Sequence, residues 1–364
     1  MAGKGGPADA WNRLGRLAAA ASAAFVAACA TPGVVPQASE EARRQEADTQ
    51  RALIASGRVQ QGTPSPYLNF PVEQRLDNIA RRIKMANADS CNGNTKTDYK
   101  ITIGNPNMGA PVVMDSDGLR PFDQVTGVNG VRVSPDVQGT GTFLSVRDSA
   151  AASGRPLVVT AMRNMQPVSA TFAPVKMCNY KVNIIQNMNV FNAFTLGEAT
   201  SFGGQVLKPG VYVAWKVLNT LSEDDMVAAV MGHEITHLLE GHTQSKKTNA
   251  IIGGILGTAA DLAVSIGTGG KINTGGALGQ FGMGSGATAY SQGFERAADS
   301  GGVKMMAKAN YDPWAAVRLM RLMAGENPDA MERGKSHPPT PDRGADTAQQ
   351  AQTTIRSGKP FGFQ

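Results

Sequence analysis

A chain of 364 residues, 41% hydrophobic and 18% charged, can bury one substantial core and carry a second module, which argues against disorder throughout. The formal charge of +6 lies partly at the extreme N-terminus, in Lys4, Arg13 and Arg16. No block of lysine and arginine with interleaved aromatics occurs, so no nucleic-acid partner is expected.

The first segment has the parts of an export signal: basic residues, an apolar run from Leu17 to Ala28, and small residues before a cysteine. The run is too short to span a bilayer. Val26-Ala27-Ala28-Cys29 resembles the lipobox of bacterial lipoproteins, which implies removal of residues 1–28 and a diacylated Cys29 as mature N-terminus. An ordinary cleaved signal with an incidental cysteine is the alternative. Ala30, in place of aspartate after the cysteine, resembles an outer-membrane address, so the expected location is the periplasmic face of that membrane. If Cys29 is lipidated, Cys91 and Cys178 remain, and an oxidising envelope lets them pair. A disulfide is the expectation and two buried thiols the alternative, because spacing cannot place two sulfurs within bonding distance.

Residues 29–66 turn polar, with prolines at both ends and the charged stretch Glu40 to Arg51 between, and read as a tether with a short helix. From Asn69, Val72, Leu76, Ile79 and Ile83 recur at helical spacing, predicting an amphipathic helix to about Ala88. Residues 97–174 carry short β-rich runs broken by Gly, Pro, Asn and Asp, and read as an inserted β module. Within it, Gly118-Leu119-Arg120-Pro121, Asp123, Val125, Asn129-Gly130 and Val133 resemble part of a bacterial PDZ domain, with Pro156 to Arg163 as its late strand. Phe122 stands where that family has glycine, and no upstream carboxylate-binding loop is found. An unrelated β insertion stays open, and the Asn-Gly pair is in any case a hairpin turn signal.

Two further strands are expected at Tyr180 to Gln186 and Val211 to Lys216, before a long helix reaching about Gln244. Ser222 and Asp225 have capping-box spacing, and Glu223 and Asp224 place negative charge on the first turn. This helix contains His233-Glu234-Ile235-Thr236-His237. Residues four apart lie one turn above each other, so two imidazoles can face a single ion, and zinc suits that geometry. Glu234 then projects beside the metal as acceptor of a proton from its water.

Catalytic zinc sites generally take three protein ligands and keep a position for water. His242 lies nine residues past His233, nearly opposite it on a 3.6-residue helix, and the metzincin spacing fails because Gly241 falls one position late. Glu295 is the better candidate, in Phe294-Glu295-Arg296-Ala297-Ala298-Asp299, with Asp299 one turn on to orient a ligand imidazole. Without the upstream motif the same residues would read as an exposed acidic stripe. A closed structural zinc site is disfavoured, since no suitable cysteine pairs occur.

Four blocks together resemble the gluzincin metallopeptidases related to CAAX prenyl proteases, HtpX and the periplasmic BepA and Oma types. They are Asn192-Ala193-Phe194, HEITHLLEGH from His233 to His242, ERAAD from Glu295 to Asp299, and Ser336-His337-Pro338-Pro339 followed by Arg343. Tyr311-Asp312-Pro313, where Asp312 caps and Pro313 opens a helix, also matches. The resemblance covers roughly Asn69 to Ala88 and Cys178 to Arg343. It implies an α+β fold: a mainly helical peptidase domain with a small sheet, here residues 67–96 and 175–345, followed by a polar tail at 346–364. It implies one Zn2+ per chain, an edge strand near Asn192, Ala193 and Phe194 that holds substrate backbone, and His337 and Arg343 as further catalytic candidates. His337 would stabilise an oxyanion or latch the zinc, or else be an exposed loop residue.

The prenyl proteases and HtpX are membrane-embedded, whereas the nearest approach to a span here, Ala250 to Ile266, is short, glycine-rich and interrupted by Asp261. Misfolded or misassembled envelope proteins are therefore the expected substrates, and a lipid anchor at Cys29 the expected membrane contact. A chaperone-like assembly factor with rare proteolysis is the rival reading.

Overall fold

A computed structural model describes residues 35–57, 62–186, 191–202, 205–242, 277–326 and 340–357. It is a mixed α/β structure in which Val35–Gly241 and Glu295–Gln364 form the larger of two units. His242 and the helical residues up to Phe294 fall in the smaller one, where the two rings stack with centroids 4.5 Å apart. The segment Ala250 to Ile266 lies outside the described residues; among those described, no helix is long and apolar enough to cross a membrane.

The core that carries the histidine-bearing helix begins with α2, Val72–Ala86, after a first helix α1, Glu40–Ser56. Leu76, Ile79 and Ile83 pack against Val211 and Val213 and against Met226, Val227 and Ile235 further along the chain. The sheet here has three strands in the order β10-β13-β9, with β9 at Val182–Ile185, β10 at Ala193–Leu196 and β13 at Gly210–Ala214. β10 runs antiparallel to β13 and β9 parallel to it, so β10 is an edge strand. A hairpin, β11 (Thr200–Phe202) and β12 (Gln205–Leu207), joins β10 to β13. After a short α4, Trp215–Thr220, comes α5, Asp224–Leu239.

α5 departs from expectation at both ends. Its cap position is Glu223 and no side chain caps it, so the capping box read from Ser222 and Asp225 does not form. Tertiary partners take the acidic groups instead: Asp225 accepts from the Asp312 N–H at 2.9 Å, Asp224 from Arg75 Nε at 2.7 Å, and Glu223 pairs with Arg318. The helix also stops at Leu239 and not near Gln244, because Gly241 turns into the left-handed region at φ 64°.

Residues 97–174 have a core of their own, including Ile101, Val113, Val125, Phe143, Leu157 and Val159. The strands are β2 (Ile101–Gly104), β3 (Val112–Ser116), β4 (Gln124–Val128), β5 (Val131–Arg132), β6 (Leu157–Arg163) and β7 (Gln166–Phe172). They form a sheet in the order β2-β3-β4-β6-β7, with β5 paired to β4. Asn129 and Gly130, both at positive φ, make the tight turn between β4 and β5. The β-rich reading of this stretch missed a 16-residue helix, α3 (Val137–Ala152), capped by Asp136 through the N–H groups of Gln138 and Gly139. The outer edge of β2 is covered by α2: Arg81 donates to the carbonyls of Tyr99 and Ile101, and Gln74 accepts from the Asn105 N–H.

The chain enters and leaves this sheet through β1 (Thr95–Asp98) and β8 (Val175–Cys178), which pair antiparallel with Asp98 opposite Val175. Beside them Cys91 and Cys178 are joined as a disulfide, their Cα atoms 5.7 Å apart. Arg81 and Asp98 form a bidentate pair at 2.7 and 2.8 Å, both about 4% exposed. Burial alone would raise the Asp98 pKa, but Arg81 and then Arg147 hold it below the ordinary carboxylate range. Its stabilising contribution is therefore complete above about pH 4 and is lost as pH falls through the depressed value. Asp98→Ala leaves a buried guanidinium unpaired, and urea unfolding should show a loss of about 3–5 kcal/mol.

Within the segment read as a tether, Glu40–Ser56 form the short helix expected there, and the described residues of the polar tail, 346–357, continue a helix. α1 docks on α7 (Trp314–Glu326) and α8 (Thr340–Ser357). The contact is polar: Glu46 pairs with Arg321 at 2.8 Å, Gln50 donates to the Thr340 carbonyl, and Asp346 accepts from the Ala38 N–H. α7 starts one residue after Pro313, with Asp312 Oδ1 accepting from the Trp314 N–H.

Candidate metal centre

His233 and His237 lie one turn apart on α5, and their Nε2 atoms converge to 3.1 Å. The remaining long helix, α6 (Ala277–Lys308), belongs to the larger unit from Glu295 onward and passes α5 at very short range. A Cβ on Gly232 would stand 2.7 Å from the Gly302 carbonyl oxygen, and one on Gly302 would stand 2.7 Å from the His233 backbone nitrogen. One on Gly301 would strike the side chain of Thr236 at 2.6 Å. Only hydrogen fits at these three positions. Glycine in a helix interior costs roughly 0.5–1 kcal/mol relative to alanine, so its use here reflects the need for this approach.

The close passage brings Glu295 to the histidines. Its Oε2 is 3.3 Å from His233 Nε2 and its Oε1 is 3.5 Å from His237 Nε2. One ligand atom from each of His233, His237 and Glu295 lies within 4.8 Å of the others, the one such cluster found among the described residues. His242, adjacent to the motif in sequence, is not part of it.

Asp299, one turn beyond Glu295, accepts from His233 Nδ1 at 2.8 Å, which leaves Nε2 for a metal. Arg343 of α8 in turn grips Asp299 through Nε and Nη2 at 2.8 and 2.7 Å, with both residues buried. Burial would raise the Asp299 pKa, but Arg343 and then His233 bring it down to about 2. For His233, burial acts downward and is outweighed by the hydrogen bonds to Asp299 and Glu295, which lift it to about 10. Burial lowers His237, and the neighbouring His233 adds to that. The donor set suits a divalent ion. It offers two imidazole nitrogens and a carboxylate, with a second carboxylate, Glu234, next to His233, while Asp299 is balanced by Arg343. Asp299→Asn removes the charge that orients His233, and chelator competition should show zinc affinity reduced about 10–100-fold.

The edge strand reaches the same place. The single hydroxyl proton of Thr195, on β10, is shared between two acceptors of one residue, the Glu234 backbone carbonyl at 2.7 Å and Glu234 Oε2 at 3.0 Å. Ala193 opens this strand, Asn192 just before it accepts from the Ala214 N–H, and Phe194 stacks on its cross-strand partner Tyr212 with centroids 5.4 Å apart. Arg343, expected among the catalytic residues, sits behind the cluster and holds Asp299. His337 and Cys29 lie outside the described residues. Thr195 and the glycines of α5 and α6 were not singled out from the sequence. The available signal was Gly301-Gly302 inside a helical stretch shortly after ERAAD.

Comparison with known proteins gives one result of weight: the model of peptidase family M48 matches residues 161–350, just over half of the chain. No curated protein and no solved structure matches.

Proposed function

This chain belongs to peptidase family M48, a metallopeptidase family, and on that premise we propose that it is a zinc-dependent endopeptidase of the cell envelope. The observation that carries the reading is the convergence of His233, His237 and Glu295, with Glu234 beside them and Asp299 and Arg343 behind. Zinc held there would act as a Lewis acid and bring the pKa of a coordinated water to about 7. Glu234 accepts a proton of the attacking water and passes it to the departing amine nitrogen as the C–N bond breaks; the new carboxylic acid then gives its remaining proton to the amine, so that a carboxylate and an ammonium group are released. An extended substrate pairs its backbone with β10, at Asn192, Ala193 and Phe194, beside Glu234. The Ser336-His337-Pro338-Pro339 block supports a part for His337 in the same reaction, either on the oxyanion or as a latch over the metal.

The lipobox-like sequence ending at Cys29 supports attachment to the periplasmic face of the outer membrane, with misfolded or misassembled envelope proteins as substrates. For residues 97–174 we favour a PDZ-like module. Phe122, standing where that family has glycine, sits at φ 69° in the left-handed region glycine favours, and Asn129-Gly130 closes a tight turn. The covered edge of β2 argues against strand addition at that edge.

The test is metal analysis together with casein hydrolysis by the purified mature chain. About one zinc per chain is expected, with activity lost on chelation and restored by zinc. Protein that carries no stoichiometric metal and hydrolyses nothing would overturn the proposal.

A further inference from the structure

We propose that Thr195 is a positioning residue that fixes the carboxylate of Glu234, a role that rests on reading Glu234 as the proton acceptor. Alternation along β10 puts Thr195 on the face of its partner Val211, which is fully buried, while Phe194 and Tyr212 stack on the opposite face. The Thr195 hydroxyl thus meets α5, where it lies within hydrogen-bonding distance of both the main chain and the side chain of one residue. A glutamate side chain turns about three bonds, and its carboxylate can swing by several ångströms unless something holds it. Threonine suits this task because its branched β-carbon restricts χ1. Among the described residues, no other side chain hydrogen-bonds the Glu234 carboxylate. The contact also joins two functions: the strand proposed to align substrate backbone is the one that sets the direction of the base. A displacement of that strand displaces the carboxylate with it.

Thr195→Val keeps the shape and removes the hydroxyl; Thr195→Ser keeps the hydroxyl and removes a methyl group. On a fluorogenic peptide, the valine variant should lose about tenfold in kcat, the value of one hydrogen bond to a charged group. Its KM should stay within about twofold and its zinc content should equal that of the parent, and the serine variant should recover most of the rate. Parental kcat in Thr195→Val, equal loss in both variants, or a deficit confined to KM or zinc content would each overturn the assignment. Should the valine variant fail to fold, Thr195→Ala replaces it under the same criteria. Glu234→Gln is measured alongside. Full activity in that variant removes the underlying reading, whereas an inactive Glu234→Gln beside an unaffected Thr195→Val removes the Thr195 assignment alone.

Discussion

Replacing Glu234 by glutamine should lower peptide hydrolysis by about 10²–10⁴-fold while leaving one zinc per chain, because a positioned general base is worth that much and the amide cannot accept the proton. The structure separates the two roles. The cluster of ligand atoms consists of His233, His237 and Glu295; Glu234 is not among them, and its Oε2 lies 3.0 Å from the Thr195 hydroxyl. Glutamine matches glutamate in size and can accept the Thr195 hydrogen bond through its carbonyl oxygen, so the fold and the donor set should survive. Steady-state turnover measured with metal content decides the matter: a variant that keeps its zinc and turns over at the parental rate would show that another group takes the proton.

Glu295→Ala should purify with little zinc and without measurable hydrolysis. Two imidazoles one helical turn apart are a weak chelate alone, and the carboxylate supplies both the third donor and a compensating negative charge. Glu295 is 2% exposed, so its removal opens space between α5 and α6 at the point where they lie closest to the histidines. Metal analysis after dialysis, beside Glu234→Gln as a variant that keeps its zinc, distinguishes loss of the ion from loss of the base. Stoichiometric zinc and a parental rate in Glu295→Ala would refute the ligand assignment.

What could be read in advance follows from how local each signal is. HEITH and ERAAD announce themselves because two ligands one turn apart need nothing but a helix, and the strands at Val182–Ile185 and Gly210–Ala214 stand out as β-branched runs. The amphipathic α2 was equally visible, since its buried face carries Leu76, Ile79 and Ile83. α1 and α8 were not recognised as docked elements because they dock through Glu46, Gln50, Arg343 and Asp346, and hydropathy treats such residues as surface. Helix α3 is rich in glycine, serine and alanine and buries only Gly139, Phe143 and Ala150, which leaves little periodic signal. The capping box failed for a related reason: Arg75, Arg318 and the Asp312 amide, all distant in sequence, claim the acids at the start of α5. Thr195 was hidden because its meaning depends on which helix lies opposite its strand.

The ladder of β1 and β8 has an architectural consequence. Asp98 and Val175 face each other across it, a gap that a two-residue reverse turn spans, and the disulfide secures the strands on the side away from that gap. Residues 99–174 therefore leave and rejoin the chain at adjacent points, so an exchanged domain whose ends lie close together would need no new path through the part that carries the histidines. Variation in this stretch among relatives should accordingly come as whole-domain gain, loss or swapping.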